Sequence, residues 1–436
     1  MTGSGILTAL AAMGAQNYML NFNPTKTFWK SCYRKHTNFQ REPIELPFNN
    51  AVDWGRRMQV TATRNGDLIS RAFLVVEITG LVDNRQDADP DPAGKNVVHW
   101  TNALGFAMLD CIELQIGGYT YDTHYGEWLM IHEELNTPAG KELGECIGDF
   151  ANQTDLVQWS RQNQEMIIPL KFWYMLFRDY SLPMISIQYH EVKLNAKFRK
   201  QDELVVVSAV NPGDPLGPAI TVPISSLPVN QRPSGGLITD AYLLHEYVYL
   251  DNRERYLFAA NDQIYLINEL QYTGAETKQA GRDNYQIPMR FNHPVKALFV
   301  VIQRDAVVEG EGGNGRKEYF NYSASDAVGG ADPLVDMTFA LNSADVMKPR
   351  GPRWFRICEA RESFNKVPDR YIYPWPIALH PFVIEPEGAI NFSRIDERTA
   401  IIKTLPGMGS GQIRIYGWGN NKIKIAGGMV GKQFAS

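Results

Sequence analysis

The sequence predicts a mainly β protein built as two β domains with a few short helices, and three observations carry that expectation. Thirty-six glycines and 25 prolines punctuate the 436 residues at short intervals; runs of period-two alternation lie between them; and one proline-rich stretch near the middle interrupts the pattern. Chains of this length divide into about two to three domains. A composition of 44% hydrophobic, 21% charged and 11% aromatic residues is ordinary for a folded protein and excludes a disordered or fibrous chain.

Taken in order, residues 5–13 form an apolar stretch too short to span a bilayer and without a basic leader, so neither a membrane span nor an export signal is expected there. Ile112, Leu114 and Ile116 alternate with Glu113 and Gln115 before Gly117 and Gly118, which predicts a half-buried strand ending at a turn. Trp128, Leu129, Ile131 and Leu135 fall at helical spacing and predict a helix over 125–135, stopped by Pro138; residues 253–260 are a weaker helix. Over 184–198 the apolar positions change parity, from Ile185, Ile187 and Tyr189 to Val192, Leu194, Ala196 and Phe198. That change predicts a bulge or bend near His190 and Glu191. Between 200 and 236 periodicity fades while Pro212, Pro215, Pro218, Pro223, Pro228 and Pro233 accumulate, as suits a stiff connection. The domain boundary is expected there, with a first domain over 25–215, a linker over 216–236 and a second domain over 237–436. Residues 297–302 are continuously apolar, as in a strand covered on both faces. Ile413 and Ile415, then Ile423 and Ile425, read as two strands around Gly417 and Gly419. Residues 83–95 and 305–332 are expected as loops.

A net charge of -5 gives no global basic field for nucleic acid or an anionic membrane. Cys32, Cys111, Cys146 and Cys358 have no metal or framework spacing and are read as reduced thiols. The eight histidines, His36, His99, His124, His132, His190, His245, His293 and His380, form neither HxH nor HExxH, so no metal site and no cofactor is expected. Gly310, Gly312 and Gly315 satisfy GxGxxG without a following helix and are read as a surface loop. The carboxylate pairs Glu133-Glu134 and Asp396-Glu397 are read as solvated faces. Two stretches interleave basic and aromatic residues in the manner of a single-strand nucleic-acid surface: Lys26, Phe28, Trp29, Lys30, Tyr33, Arg34 and Lys35, then Lys348, Arg350, Arg353, Trp354, Phe355 and Arg356. The first describes a subunit or domain contact equally well, and no direct nucleic-acid partner is expected. Asn-x-Ser/Thr occurs at Asn152, Asn321 and Asn391, and the polar surroundings of Asn152 and Asn321 make these two the candidate glycan acceptors.

Several segments resemble a known family. Gly14-Ala15-Gln16, Asn23-Pro24, Thr27-Phe28 and Tyr33-Arg34-Lys35-His36-Thr37-Asn38-Phe39 are similar to the N-terminal wording of the major capsid proteins of nucleocytoplasmic large DNA viruses. Asn65-Gly66-Asp67-Leu68-Ile69, His99-Trp100, Ile116-Gly117-Gly118, His124-Tyr125-Gly126-Glu127-Trp128 and Gln188-Tyr189-His190-Glu191-Val192 follow in the same order. Tyr249-Leu250-Asp251, Phe291-Asn292-His293-Pro294-Val295-Lys296 and Asn391-Phe392-Ser393-Arg394-Ile395-Asp396 extend the resemblance along the second half. The wording departs at Asn21-Phe22-Asn23-Pro24 and Gly417-Trp418-Gly419.

The resemblance implies two consecutive eight-stranded jelly rolls and a non-enzymatic structural role in an icosahedral capsid. It implies a homotrimeric, pseudo-hexagonal capsomer, with neighbouring capsomers and minor capsid proteins as partners. Residues 1–24 become an inward-facing arm, with an inner viral membrane as its partner, and the protein is placed in the virion capsid after assembly in the host cytoplasm. A carbohydrate-binding, lectin-like β protein is the second reading, because jelly rolls also serve that role. A β-barrel enzyme is the third.

Overall fold

The computed structural model describes residues 3–11, 14–24, 28, 35–88, 94–209, 220–308, 317–325 and 330–434. Residues 1–39 form one compact unit and residues 40–436 another. In the smaller unit, the helix Ser4–Ala11 is followed by a single turn of helix at Tyr18–Asn21, and Ile6, Leu7, Met19 and Leu20 are exposed.

The larger unit holds two antiparallel sandwiches. In the first, one sheet runs in the order Phe39–Pro47, Ile238–Leu250, Leu68–Ile78 and Gln164–Pro169, with Leu182–Pro183 also on Leu68–Ile78. The facing sheet runs Arg57–Thr61, Val192–Phe198, Leu109–Ile116 and Tyr119–His124. Alternate residues of both sheets meet in one core, with Leu74, Val76, Ile168 and Leu243 from the first and Val60, Ile112, Leu114 and Leu194 from the second. Ile112, Leu114 and Ile116 are buried together, as their alternation predicts.

The second sandwich repeats the plan. Gln263–Lys278, Gly411–Ala426, Pro294–Arg304 and Ile372–Pro376 form one sheet; Asn284–Pro288, Arg398–Thr404, Leu334–Leu341 and Ala344–Asp345 form the other. Leu298, Val300, Ile302 and Ile413 pack against Met337, Phe339 and Ile402 between them. All eleven residues of Pro294–Arg304 except Pro294 are buried, which accounts for its unbroken apolar run.

Four expectations are corrected. The domain boundary does not lie at 216–236, because Ile238–Leu250 pairs with Leu68–Ile78, through Leu243 opposite Leu74 and Ala241 opposite Val76. The prolines mark a crossover inside the first sandwich, and the change of sandwich comes at the exposed helix Asn252–Ala260, capped by the Asp251 side chain. Residues 25–39, expected in the first domain, fall within the smaller unit. The proline-rich stretch also contains a buried strand, Val205–Ala209, paired with Val98–Trp100. Finally, Gly411–Ala426 is one 16-residue strand rather than two. Its glycines serve close approach: a Cβ on Gly419 would sit 2.7 Å from the Pro294 carbonyl oxygen.

The parity change over 184–198 also has a different origin. Only Val192–Phe198 is strand, and the preceding residues wrap around Arg64. Its guanidinium donates to the carbonyl oxygens of Met184 (3.2 Å), Gln188 (3.0 Å) and His190 (3.1 Å), and also to that of Ile187. Carbonyls collected by one cation are withdrawn from any sheet ladder. Arg64→Met leaves four of them without their donor, and since bonds to charged groups are worth about 1.5–3 kcal/mol, chemical denaturation is expected to show a loss of about 2 kcal/mol or more. A loss below about 0.5 kcal/mol, the range of ordinary surface changes, would mean that the loop does not depend on Arg64.

Candidate functional site

The feature that the two sandwiches build jointly is the seam between them. Its wedge is the helix Gly126–Asn136, which leaves the first sandwich directly after strand Tyr119–His124. Gly126 permits its approach, since a Cβ there would lie 2.1 Å from the Phe106 carbonyl oxygen. Leu129 and Met130 turn into the first core, whereas Trp128, Ile131 and Leu135 turn toward the second sandwich. There they meet Ala297, Phe299 and Val301, the face of Pro294–Arg304 opposite to its own core, together with Tyr416 and Trp418. The Trp128 ring lies 5.1 Å from Trp418 and 5.3 Å from Phe299, and His132 lies 4.6 Å from Phe382.

Beside this apolar patch sits a charged one. Glu127 accepts from Arg199 at 2.8 Å, and Arg199 also donates to the Ala107 carbonyl and covers the Tyr319 ring. Burial alone would raise the Glu127 carboxyl, but the Arg199 and Arg414 guanidiniums reverse this and hold it below the usual range. Arg414 is gripped by the amide oxygens of Gln303 and Gln412, both at 2.6 Å. A cleft of about 710 Å³ opens over these groups, lined among others by Lys317 and Tyr319.

Backbone bonds stitch the seam on either side. Asp122, paired with His124 at 3.1 Å, also accepts the Leu270 amide, and the Tyr121 hydroxyl donates to the Val430 carbonyl. At the far end of the helix, Lys366 donates through its backbone to Leu135, and Arg370 pairs with Asp149 at 3.0 Å.

The residues singled out from sequence fall mostly elsewhere. Asn152 is exposed before the helix Gln153–Ser160 and donates to Asp155 at 3.1 Å; Asn321 is half-buried and donates to Glu318 at 2.6 Å. Asn391 is exposed and accepts the Ser393 amide. Gly310, Gly312 and Gly315 lie outside the described residues, as do Lys26, Trp29, Lys30, Tyr33, Arg34 and Cys32; Phe28 and Lys35 are exposed. The second basic and aromatic stretch is drawn into local packing: Phe355 is buried in a π-helical turn, Arg350 covers Trp354, and Arg356 pairs with Asp332. The pair Glu133-Glu134 is not a solvated face, because Glu133 reaches Lys171 at 3.4 Å and Glu134 accepts the Asp369 amide. Of the histidines, His124 and His132 belong to the seam region, and His245 is buried between Tyr174 and Tyr247. Sequence reading missed Glu127, Arg199 and Arg414. Glu127 had a signal, a lone charge one residue before the apolar face of a predicted helix.

Comparison with known proteins matches residues 27–251 to the family described as major capsid protein N-terminus, and residues 254–431 to the large eukaryotic DNA virus major capsid protein. The division between the two matches coincides with the end of strand Ile238–Leu250. The major capsid protein of Pyramimonas orientalis virus is 29% identical over 99% of this chain and all of its own. That of Phaeocystis pouchetii virus is 27% identical at the same coverage. Among solved structures, the PBCV-1 virus capsid superposes with a TM-score of 0.72 at 24% identity, covering 94% of this chain and 100% of that one. The Faustovirus major capsid protein gives 0.74 at 10% identity, covering 97% and 96%. These structures establish the fold as the double jelly roll, and the carbohydrate-binding alternative finds no support among these relatives.

The seam makes stability pH-dependent through His132. Both of its ring nitrogens lack a partner, and burial, with Lys171 and His124 adding repulsion, drives it well below its usual range. The unfolded chain takes up this proton near pH 6.5, so the contribution is complete above about 6.5 and is lost as pH falls. His132→Phe is expected to flatten this acid limb in thermal melts between pH 7 and 4.5; an unchanged slope would show that His132 does not set it. Because two families of matches run in order along nearly the whole polypeptide, the chain belongs to the major capsid proteins of large eukaryotic DNA viruses.

Proposed function

We propose that the chain is the structural subunit of an icosahedral viral capsid, working as a homotrimer whose six jelly rolls give a pseudo-hexagonal capsomer. The observation that carries this reading is the seam. It turns two sandwiches into one thick block, and a block of two joined sandwiches suits tiling by symmetric side-to-side contact. No catalytic role is assigned, and the protein is placed in the virion capsid, assembled in the host cytoplasm. Neighbouring capsomers and minor capsid proteins are its partners. Native mass measurement is expected to give three times 49.3 kDa, about 148 kDa, and a monomer persisting at micromolar concentration would overturn the reading.

The inner membrane is the partner we assign to the smaller unit. Residues 1–39 hold four Lys and Arg and no Asp or Glu, which leaves 39 basic against all 48 acidic residues, a net -9, for the rest of the chain. Residues 3–24 carry no charge at all, and Ile6, Leu7, Met19, Leu20 and Phe22 are exposed there. An apolar helical segment followed by Lys, Arg and aromatic residues has the chemistry of an interfacial anchor on anionic lipid. In a flotation assay with phosphatidylserine-containing vesicles at low salt, the full chain is expected to float and a form lacking residues 1–39 to sediment. Equal behaviour of the two would remove the membrane assignment while leaving the capsomer intact.

A further inference from the structure

Lys296 is the one charged residue in the otherwise apolar middle of strand Pro294–Arg304, and it is fully buried. The register explains its direction. Val295 lies opposite Gly419 and Ala297 opposite Trp418, so Lys296 is the extra residue of a β-bulge. A bulge re-aims its side chain. Here the chain of Lys296 reaches to Asn268 on strand Gln263–Lys278, where Nζ donates to Oδ1 at 2.8 Å.

The same residue grips a strap, residues 377–389, by three bonds. Its carbonyl oxygen accepts the backbone N–H groups of Ile377 (2.8 Å) and Ala378 (2.9 Å), and its Nζ donates to the Val383 carbonyl at 2.9 Å. Leu379 and Val383 are exposed on the strap, 68% and 40% respectively. Lys296 makes no ion pair within 4 Å among the described residues. Two acceptors around a buried amine match the two N–H groups of a neutral amine, whereas an ammonium brings a third hydrogen and an unpaired charge.

We propose that Lys296 is a pH-responsive clasp, which holds the 377–389 strap closed in its neutral form and loosens it when the amine takes up a proton. Burial pushes the amine down to about 7, with Glu387 opposing the shift. An exposed lysine keeps its proton to about pH 10.4. The open strap therefore binds the proton more tightly than the closed one, and closure gains stability as pH rises from about 7 toward 10.

The groups that face the amine are few. Strand Gln263–Lys278 offers the Asn268 amide, and strand Gly411–Ala426 offers Asn420, opposite Asn268 in register. The strap offers Val383 and Glu387, and Glu387 is held by His380 at 2.7 Å. His380 is thus a competing titratable group between pH 6 and 9, whereas His132, which meets the strap at Phe382, is held well below its usual range and stays neutral over that interval.

Hydrogen exchange of the full-length protein, followed by mass spectrometry at pH 6 and pH 9 and corrected for intrinsic rates, tests the clasp. The strap peptides are expected to gain about tenfold or more in protection at pH 9, since each unit between the two affinities is worth up to tenfold. Strand Leu334–Leu341, on the opposite sheet, is expected to change less. Lys296→Met is expected to abolish the difference and His380→Gln to retain it. Equal protection of the wild-type strap at both pH values overturns the proposal whether or not the Met variant folds. So does a pH dependence that survives Lys296→Met or disappears in His380→Gln.

Discussion

The arrangement depends on a strand that is apolar on both faces. Leu298, Val300 and Ile302 fill the second core, so Ala297, Phe299 and Val301 point out of that sandwich as a greasy surface. Something must cover it, and the helix Gly126–Asn136 does so with Trp128, Ile131 and Leu135. At about 1.5–3 kcal/mol for each large side chain removed from water, this patch outweighs the buried ion pair beside it, because the desolvation of Glu127 and Arg199 cancels most of their attraction. The two sandwiches are therefore one body for an apolar reason, and the charges beside the patch act on alignment more than on cohesion.

Glu127 illustrates that division. Taking a carboxylate out of water is costly, and two guanidiniums, Arg199 held by the Ala107 carbonyl and Arg414 by the Gln303 and Gln412 amide oxygens, offset the cost without turning it into a large gain. What the cluster supplies is direction. Arg199 comes from the first sandwich and Arg414 from the second, so both approach the one carboxylate only in a single relative placement of the sandwiches.

The β character, the seam helix and the doubly covered strand were legible because each leaves a distinct apolar pattern: a period of 2.0 residues in Leu109–Ile116, one of 3.6 in Gly126–Asn136, and an unbroken run within Pro294–Arg304. The boundary was not legible. Period-two alternation in Ile238–Leu250 says that one face is buried and nothing about which sheet receives it, and prolines mark a crossover as readily as a linker. Arg64 and Lys296 were invisible as organisers, because the carbonyls that define their roles belong to residues about 120 and 87 positions away. The family resemblance reached the right fold by a separate route, through ordered wording rather than through contacts.

The return of Ile238–Leu250 to the first sandwich has a consequence for biosynthesis. Ribosomes deliver the chain from its N-terminus, and strand Leu68–Ile78 emerges long before its neighbour at 238–250. Until that neighbour arrives, one side of Leu68–Ile78 offers unpaired amides to any passing polypeptide. A nascent capsid subunit therefore carries an adhesive flank from the completion of Ile78 to the arrival of Ile238, over a third of its translation, and that flank stays open to wrong partners until then.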